Sequence, residues 1–184
     1  MTIPPSARLS FRLLDPASAD DIECLYALDQ DPQVMHFING GIATSRQQLQ
    51  EVMLPRLASY TNPDKGWGMW GVFERASKAF IGWILVRPMH FFSAEPQWQN
   101  LELGWRFMQP YWGRGYATEA AAQVMAQLQK NTDVQVFSAI AVAENTASIA
   151  IMKKLGMQYL SSGLHRDPLG DMQVETYQLK AVQH

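Results

Sequence analysis

One stretch near the middle of the chain constrains its fold more than any other. Residues 101–120 read LELGWRFMQPYWGRGYATEA, which predicts a strand (101–107), a proline-marked loop and a glycine-spaced entry into a helix. Small residues at Gly113, Gly115 and Ala117 let a ligand approach the backbone closely. The first amides of the following helix lack partners inside it and lie at its positive end. This pattern predicts a phosphate-binding loop, to which Arg114 adds a full charge.

Two common phosphate-binding patterns do not fit this loop. A Walker loop ends in Gly-Lys-Ser/Thr, and no such tripeptide occurs in the chain. A dinucleotide fingerprint needs a third glycine where Thr118 stands and an acidic residue closing the next strand. Asp133 precedes the next apolar run, and Glu144 follows it at too great a distance. The glycines alone favour an ordinary strand-to-helix turn, but the residues around them point to a ligand.

A third pattern fits. The loop resembles the pyrophosphate-binding signature of the GNAT superfamily of acyl-CoA-dependent N-acetyltransferases, Gln/Arg-x-x-Gly-x-Gly/Ala, although Trp112 replaces the usual Gln/Arg. Gly115 and Ala117 take the small-residue positions. A second block, NTASIAIMKKLGM at residues 145–157, resembles the Asn-x-x-Ser…Lys-Leu-Gly-Phe helix of the same family. The wider run around both blocks is most similar to the ribosomal-protein-type N-terminal acetyltransferases.

The composition sets limits that agree with this resemblance. A chain of 184 residues with 47% hydrophobic content predicts one globular domain over residues 1–184, with a core at about 8–180. A net charge of -2 gives no electrostatic case for nucleic acid or an anionic membrane as partner, and it leaves a homodimer open. The lone Cys24 excludes an internal disulfide. Without a signal peptide or a bilayer-length apolar run, we expect a cytoplasmic protein.

The periodicity predicts alternating elements without a linker or repeat. The predicted strands are 8–14, 66–74, 79–86, 101–107, 134–142, 157–164 and 172–179, with turns at 75–78 and 168–171. Helices are predicted at 18–29, from Thr44 or Ser45 with a break near Pro55, from the glycine loop to about 130, and at 145–155. Residues 31–41 and 88–100 are predicted to be loops.

The resulting order is β-α-α-β-β-β-α-β-α-β-β. By itself it predicts an α/β domain of the α+β type, with a mixed, mostly antiparallel sheet flanked by helices. The resemblance implies a single GNAT-like domain. It also implies that the two central strands (101–107 and 134–142) splay apart around the pantetheine arm of the cofactor.

The chemistry implied by the resemblance is transfer of an acetyl group from acetyl-CoA to a primary amine of a protein N-terminus or small molecule. The amine attacks directly within a ternary complex, and a base must take its proton. Glu102 is the candidate base; alternatively, it forms a structural salt bridge with Arg106 or another cation. Backbone amides near Phe107 and Met108 are the candidates to polarise the thioester carbonyl.

The second block supplies candidates for the proton that the leaving thiolate needs. Many family members carry a tyrosine where this chain has Met152, so the usual acid is missing. Ser148 is the candidate in its place, with an idle hydroxyl in the first helical turn as the alternative. Asn145 is expected to contact the cofactor, to cap the helix, or to do both. The full set of predicted cofactor-binding residues is Phe107, Met108, Gly113, Arg114, Gly115, Tyr116, Ala117, Thr118 and Asn145.

The middle of the chain is rich in aromatic residues. For strand residues we expect these rings to fill the core, whereas Phe91, Phe92 and Trp98 fall in a predicted loop and are candidates for the acceptor site. The four histidines and one cysteine show no metal-ligand spacing, so no metal site is predicted. An alternative to the enzyme is an acyl-CoA-binding sensor without turnover, which the missing tyrosine makes plausible.

Overall fold

The computed structural model describes residues 1–167 and 170–182. Within them, seven strands form one open sheet in the order β1-β2-β3-β4-β5-β7-β6. The strands are β1 (Leu9–Leu13), β2 (Gly68–Glu74), β3 (Phe80–Met89), β4 (Gln97–Phe107), β5 (Val136–Ala141), β6 (Gln158–His165) and β7 (Met172–Lys180). Every neighbouring pair is antiparallel except β4 and β5. The predicted fold class is confirmed.

Helices cover both faces of the sheet. They are α1 (Ala19–Leu28), α2 (Pro32–Asn39), α3 (Arg46–Gln48), α4 (Leu54–Tyr60), α5 (Tyr116–Asn131) and α6 (Thr146–Lys154). Alternate residues of β4 divide between the faces. Leu101 and Leu103 pack in the main core with α5 and α6. Facing Gly104 across the β3–β4 ladder, Leu85 packs in a second core with α1 and α4. None of these helices is long and apolar enough to cross a membrane.

The expectation of a loop at residues 31–41 is wrong, because α2 lies there. Asp31 caps this helix by accepting a hydrogen bond from the Gln33 amide, and Pro32 occupies its first turn. Gly40 ends it in the left-handed conformation (φ 81°). A capping aspartate, an N-terminal proline and a C-terminal glycine are start and stop signals of a short helix, but proline and glycine are equally common in loops.

The sequence predicts that Pro55 kinks or divides the second helix, but the helical conformation continues and only the helix type changes before Pro55. Ser45 caps α3 by accepting from the Gln48 amide. A π-helical segment, Leu49–Met53, then joins α3 to α4. Pro55 lies in the first turn of α4, where its missing amide N–H costs little.

The predicted loop at residues 88–100 is shorter than expected, because β3 continues to Met89 and β4 begins at Gln97. Pro88 stays within the sheet at a point where the β3–β4 register shifts, and such bulges tolerate a residue that cannot donate. The predicted turn at residues 168–171 includes Pro168 and Leu169, which lie outside the described residues.

The central strands separate soon after they meet. The parallel register of β4 and β5 joins only Asn100–Glu102 to Val136–Ser138. Beyond Glu102, β4 runs on to Phe107 while β5 continues with β7 as its partner. The gap between the two strands opens toward the start of α5, as the family resemblance implies.

Candidate active site

Backbone amides of β4 point into the gap between the central strands. The Met108 amide donates to the Ile81 carbonyl at 2.9 Å, just beyond the facing pair Gly82 and Phe107. In an antiparallel ladder, a pair flanked in this way does not exchange hydrogen bonds. The amides of Phe107 and Trp105 therefore point toward β5. Because Met108 is already engaged, its predicted role in polarising the thioester is corrected, and Phe107 is left as the candidate.

The glycine-spaced loop presents free amides at the mouth of this gap. None of the amides of residues 113–118 donates a hydrogen bond to a residue that the structure describes. Gly115 caps α5 in the left-handed conformation (φ 76°), and Gly113 has a φ of 73°. Nothing lies within 4 Å of the point where a Gly113 side chain would begin. Open space, free amides and a helix N-terminus fit a pyrophosphate group.

Side chains just before β1 hold this loop from behind. The Arg8 guanidinium donates to the Arg114 carbonyl at 2.9 Å and to the Glu119 carboxylate at 2.7 Å, and it lies 4.3 Å from the centre of the Tyr116 ring. Ser6 donates to the same carboxylate. Burial raises the pKa of Glu119, but the hydrogen bonds from Ser6 and Arg8 outweigh it and hold the pKa below its usual range.

Two further predicted loop residues also have fixed places. The Tyr116 side chain is buried, and its hydroxyl donates to Glu74 at 2.7 Å. Only the backbone of Tyr116 is therefore available to a ligand. The Arg114 guanidinium lies 5.8 Å from the centre of the Tyr111 ring, without an ion pair among the described residues.

Glu102 lies where the central strands part, and it is ion-paired. Its carboxylate accepts two hydrogen bonds from Arg87, at 2.8 and 3.1 Å, and it is only 5% exposed. Burial lowers the pKa of Arg87, but the neighbouring Glu102 charge outweighs this effect and raises it. A carboxylate offers about four lone-pair sites, so the two that Arg87 uses leave room for another donor.

Arg106, the cation first considered for Glu102, pairs elsewhere. It donates to Asp29 at 2.5 Å, and Asp29 also accepts from the Thr44 hydroxyl. The structure therefore contains the salt bridge considered for Glu102, but with Arg87 on β3 as its partner.

The second sequence block places Ser148 beside the gap. The Trp105 indole on β4 donates to the Ser148 hydroxyl oxygen at 3.1 Å, so this hydroxyl is held in place and keeps its own proton for a ligand. Asn145 caps α6 by accepting from the Ser148 amide at 3.1 Å. Met152 is fully buried in the main core, where a tyrosine would have to displace packed side chains.

Phe91 packs against the second core, on the face of the sheet opposite α6 and Ser148. Trp98 lies near the start of β4. Phe91 and Phe92 contact each other edge to face, 5.1 Å apart. The Arg87 guanidinium lies 5.5 Å from the centre of the Phe92 ring, which places Phe92 beside the Glu102 ion pair. Trp98 contacts Phe91 edge to face, with the ring centres 6.3 Å apart. On its other side it stacks on Trp67 and lines a cleft of about 340 Å³ near the end of α5.

Several residues near the site were not identified from the sequence. Arg8, Arg56, Tyr60, Arg87 and Trp105 come from four different elements or their flanks. Arg8 and Glu119 are 111 positions apart. Period-two alternation shows only that Arg87 and Glu102 could share a face if β3 and β4 pair in this register. No local motif marks such contacts.

The comparisons with known proteins agree with this geometry. The acetyltransferase (GNAT) domain family matches residues 8–158, and the chain belongs to that family. GNAT acetyltransferases use acetyl-CoA, which confirms the cofactor predicted from the loop. These findings support an acyl-CoA-dependent N-acetyltransferase.

Relatives and solved structures show how far the similarity extends. An FsC-acetyl coenzyme A-N(2)-transacetylase of Aspergillus fumigatus is 25% identical over 81% of this chain, which spans 63% of that relative's length. A GNAT-family acetyltransferase of Bacillus anthracis has a TM-score of 0.74 at 22% identity, covering 98% of this chain and 99% of the other. A ribosomal L7/L12 alpha-N-protein acetyltransferase bound to coenzyme A has a TM-score of 0.69 at 16% identity, covering 98% of each chain. At these identities the structures show the shared fold.

Proposed function

We propose that this protein transfers an acetyl group from acetyl-CoA to a primary amine, by direct attack in a ternary complex. The observation that carries the proposal is the set of free amides at residues 113–118, at the mouth of the gap between β4 and β5. They suit the pyrophosphate of the cofactor. Ser148 and Glu102 lie along the same gap, which suits a thioester held between a proton donor and a base.

The cofactor supplies a thioester: the amine nitrogen bonds to its carbonyl carbon, and the carbon–sulfur bond breaks. Glu102 takes the proton that the attacking amine loses. The Phe107 amide donates to the carbonyl oxygen as negative charge develops there. Ser148 gives its hydroxyl proton to the thiolate and regains one from solvent. The indole of Trp105, as a donor to the same hydroxyl oxygen, keeps that proton directed away from itself.

The acceptor is a protein N-terminus or a small molecule. Within the family, we propose that the chain is related to the ribosomal-protein-type branch, and this relationship leaves the acceptor open. The sequence similarity at the two motif blocks and the structural likeness to the ribosomal protein acetyltransferase support it.

Release of free thiol from acetyl-CoA, measured with a panel of amines, tests the enzymatic function, and mass analysis identifies the acetylated product. We expect release above background with at least one amine. An acyl-CoA sensor would bind acetyl-CoA in calorimetry and release no thiol with any amine. That result would replace the enzyme with the sensor.

A further inference from the structure

One cation on the acceptor face, Arg56, has no ion-pair partner among the residues that the structure describes. Arg56 lies on α4 and also forms no hydrogen bond with these residues. Its guanidinium carbon lies 3.7 Å from the centre of the Phe92 ring, and the side chain is half-buried. Burial lowers the pKa of Arg56, with Asp167 acting in the opposite direction. An arginine remains charged in this setting, and its donors have no hydrogen-bond partner among the described residues, so they suit an anionic ligand.

Arg56 lies beside the candidate base. The Phe92 ring contacts two guanidinium groups, those of Arg56 at 3.7 Å and Arg87 at 5.5 Å. Arg87 in turn donates to Glu102. An amine that delivers its proton to Glu102 must therefore sit within the reach of a small molecule from Arg56.

A buried tyrosine lies in the same region. Tyr60 is 4% exposed, and its ring lies 5.7 Å from the Arg87 guanidinium and 6.2 Å from the Phe92 ring. Its hydroxyl has no hydrogen-bond partner among the described residues. Burial raises the pKa of Tyr60, so the phenol stays neutral and can donate to a ligand.

Two cations and two anions surround this region. Arg56 and Arg87 are the cations, and Glu102 and Asp167 are the anions that act on them. Because Arg87 is committed to Glu102, Arg56 is the cation left for a ligand. A molecule with an amine at one end and a carboxylate at the other matches this arrangement. A polyamine would bring further positive charge toward two guanidinium groups.

We propose that the acceptor is a small primary amine that also carries a carboxylate, an amino acid or a close analogue, and that Arg56 binds this carboxylate. The inference rests on the proposed function. The planar guanidinium fork binds carboxylates through two parallel hydrogen bonds, and its contact with Phe92 limits the freedom lost on binding. Tyr60 supplies a further donor at the same place.

Amino acids offered in pairs, each as the free acid and as its amide, test the proposal. Removing the carboxylate charge changes little else in the molecule. We expect kcat/KM for the acid to exceed that for the amide about tenfold or more, from the usual strength of charged hydrogen bonds. Spermidine, as a polycation, should be a poor acceptor. Equal values for acid and amide, or a preference for spermidine, would overturn the proposal.

Substitutions test whether Arg56 causes the preference for the acid over the amide. Arg56→Gln should remove most of the difference between acid and amide, and Arg56→Lys should retain part of it. Arg46→Gln is the matched control: Arg46 also lies on an aromatic ring, 3.6 Å from the centre of Tyr26, but it forms an exposed ion pair with Glu23. It should leave the ratio unchanged. If Arg56→Gln keeps the wild-type ratio, another group binds the carboxylate and the assignment fails.

Calorimetry in the presence of coenzyme A measures the binding affinities of the acid and the amide without turnover. Tighter binding of the acid than of the amide, abolished in Arg56→Gln, would uphold this inference even if no amine released thiol and the proposed function failed. A short peptide with an amino-terminal aspartate separates the two carboxylate sources. If that peptide binds more tightly than any free amino acid, the acceptor is a protein N-terminus and the small-molecule proposal is wrong.

Discussion

The two sides of the central gap use different kinds of chemistry. On the proposed cofactor side, backbone amides at residues 113–118 have no hydrogen-bond partner among the described residues, and Arg8 and Glu119 hold the loop from behind. On the proposed acceptor side, the candidate groups are side chains: Arg87 pairs with Glu102, and Arg56 packs on Phe92. Backbone chemistry depends on conformation and tolerates many side chains. Side-chain chemistry depends on the residues themselves, so we expect substitutions on the acceptor side to change function more than substitutions of side chains in the loop.

The largest expected effect falls on the acceptor side. Glu102→Gln should lower the rate with amines about a hundredfold or more near neutral pH, because a positioned base is lost, while acetyl-CoA affinity changes little. The loss should shrink as pH rises, since free amine then becomes abundant. Steady-state rates across pH, with calorimetry for the cofactor, measure both effects.

A matched carboxylate provides the control. Glu23→Gln also removes the carboxylate partner of an arginine, but on an exposed pair, and it should leave the rate unchanged. If Glu102→Gln folds and retains the wild-type rate at neutral pH, Glu102 is structural.

The next effect belongs to the cofactor side. Gly115→Val should weaken acetyl-CoA binding about tenfold or more, because a branched residue is strained at a φ of 76° and shifts the amides. A steric clash is not the cause, since the nearest atom to the added carbon would be an Arg8 nitrogen at 3.6 Å. Calorimetry with acetyl-CoA measures the loss.

Gly40→Val is the matched variant for this test. Gly40 has a φ of 81° and open space around it, but ends α2 away from the gap. It should lower the melting temperature and keep the cofactor affinity. Unchanged affinity in folded Gly115→Val would remove the loop from the site.

A smaller effect tests the support behind the loop. Arg8→Gln should weaken acetyl-CoA binding about fivefold, by the usual net value of one hydrogen bond, because Arg8 holds both the Arg114 carbonyl and Glu119. Arg75→Gln serves as control: Arg75 donates to the carbonyls of Ser6 and Ala7 without a contact to the loop. If both variants lose affinity equally, the loop depends on the whole segment and not on Arg8.

The smallest effects concern α6, which carries Ser148. Ser148→Ala should slow turnover only a few-fold, because a coenzyme A thiolate leaves readily and water can donate. Trp105→Phe should give a similar loss, and the double variant should lose no more than either single one if both act through the same proton. Purely additive losses would show that Trp105 does not act through Ser148.

Asn145→Ala should act mainly on stability. It removes the cap of α6, which is worth about 1 kcal/mol, and any cofactor contact would appear as weaker binding. Thermal unfolding with and without acetyl-CoA separates the two effects. An equal drop in both conditions would leave Asn145 as a cap alone.

The sequence predicted more of the cofactor side of the site than of the acceptor side. Glycine spacing and strand alternation predicted the loop, the central strands and the position of Glu102, because local rules govern backbone conformation. The sequence could not predict the partners of Glu102 and Glu119. The partner of Glu102 depends on strand register, and that of Glu119 depends on a contact across 111 positions. Similarly, α2 was missed because Pro32 and Gly40 serve turns as readily as helix ends.

Met108 illustrates a further limit. Its place after the strand suggested a free amide, but the neighbouring strand supplies Ile81 as an acceptor. Only the register, which is a tertiary property, shows which amides point into the gap.

The contact between Arg8 and the loop couples two distant parts of the chain. The Arg8 amide itself donates to Glu119, and the Leu9 amide donates to the Ser6 hydroxyl, which donates to the same carboxylate. By thermodynamic linkage, a ligand that stabilises the ordered loop also stabilises the hydrogen bonds that join residues 6–9 to Glu119. Hydrogen exchange at these two amides should therefore slow as cofactor binds, so that the first strand reports occupancy of a site built more than a hundred residues later.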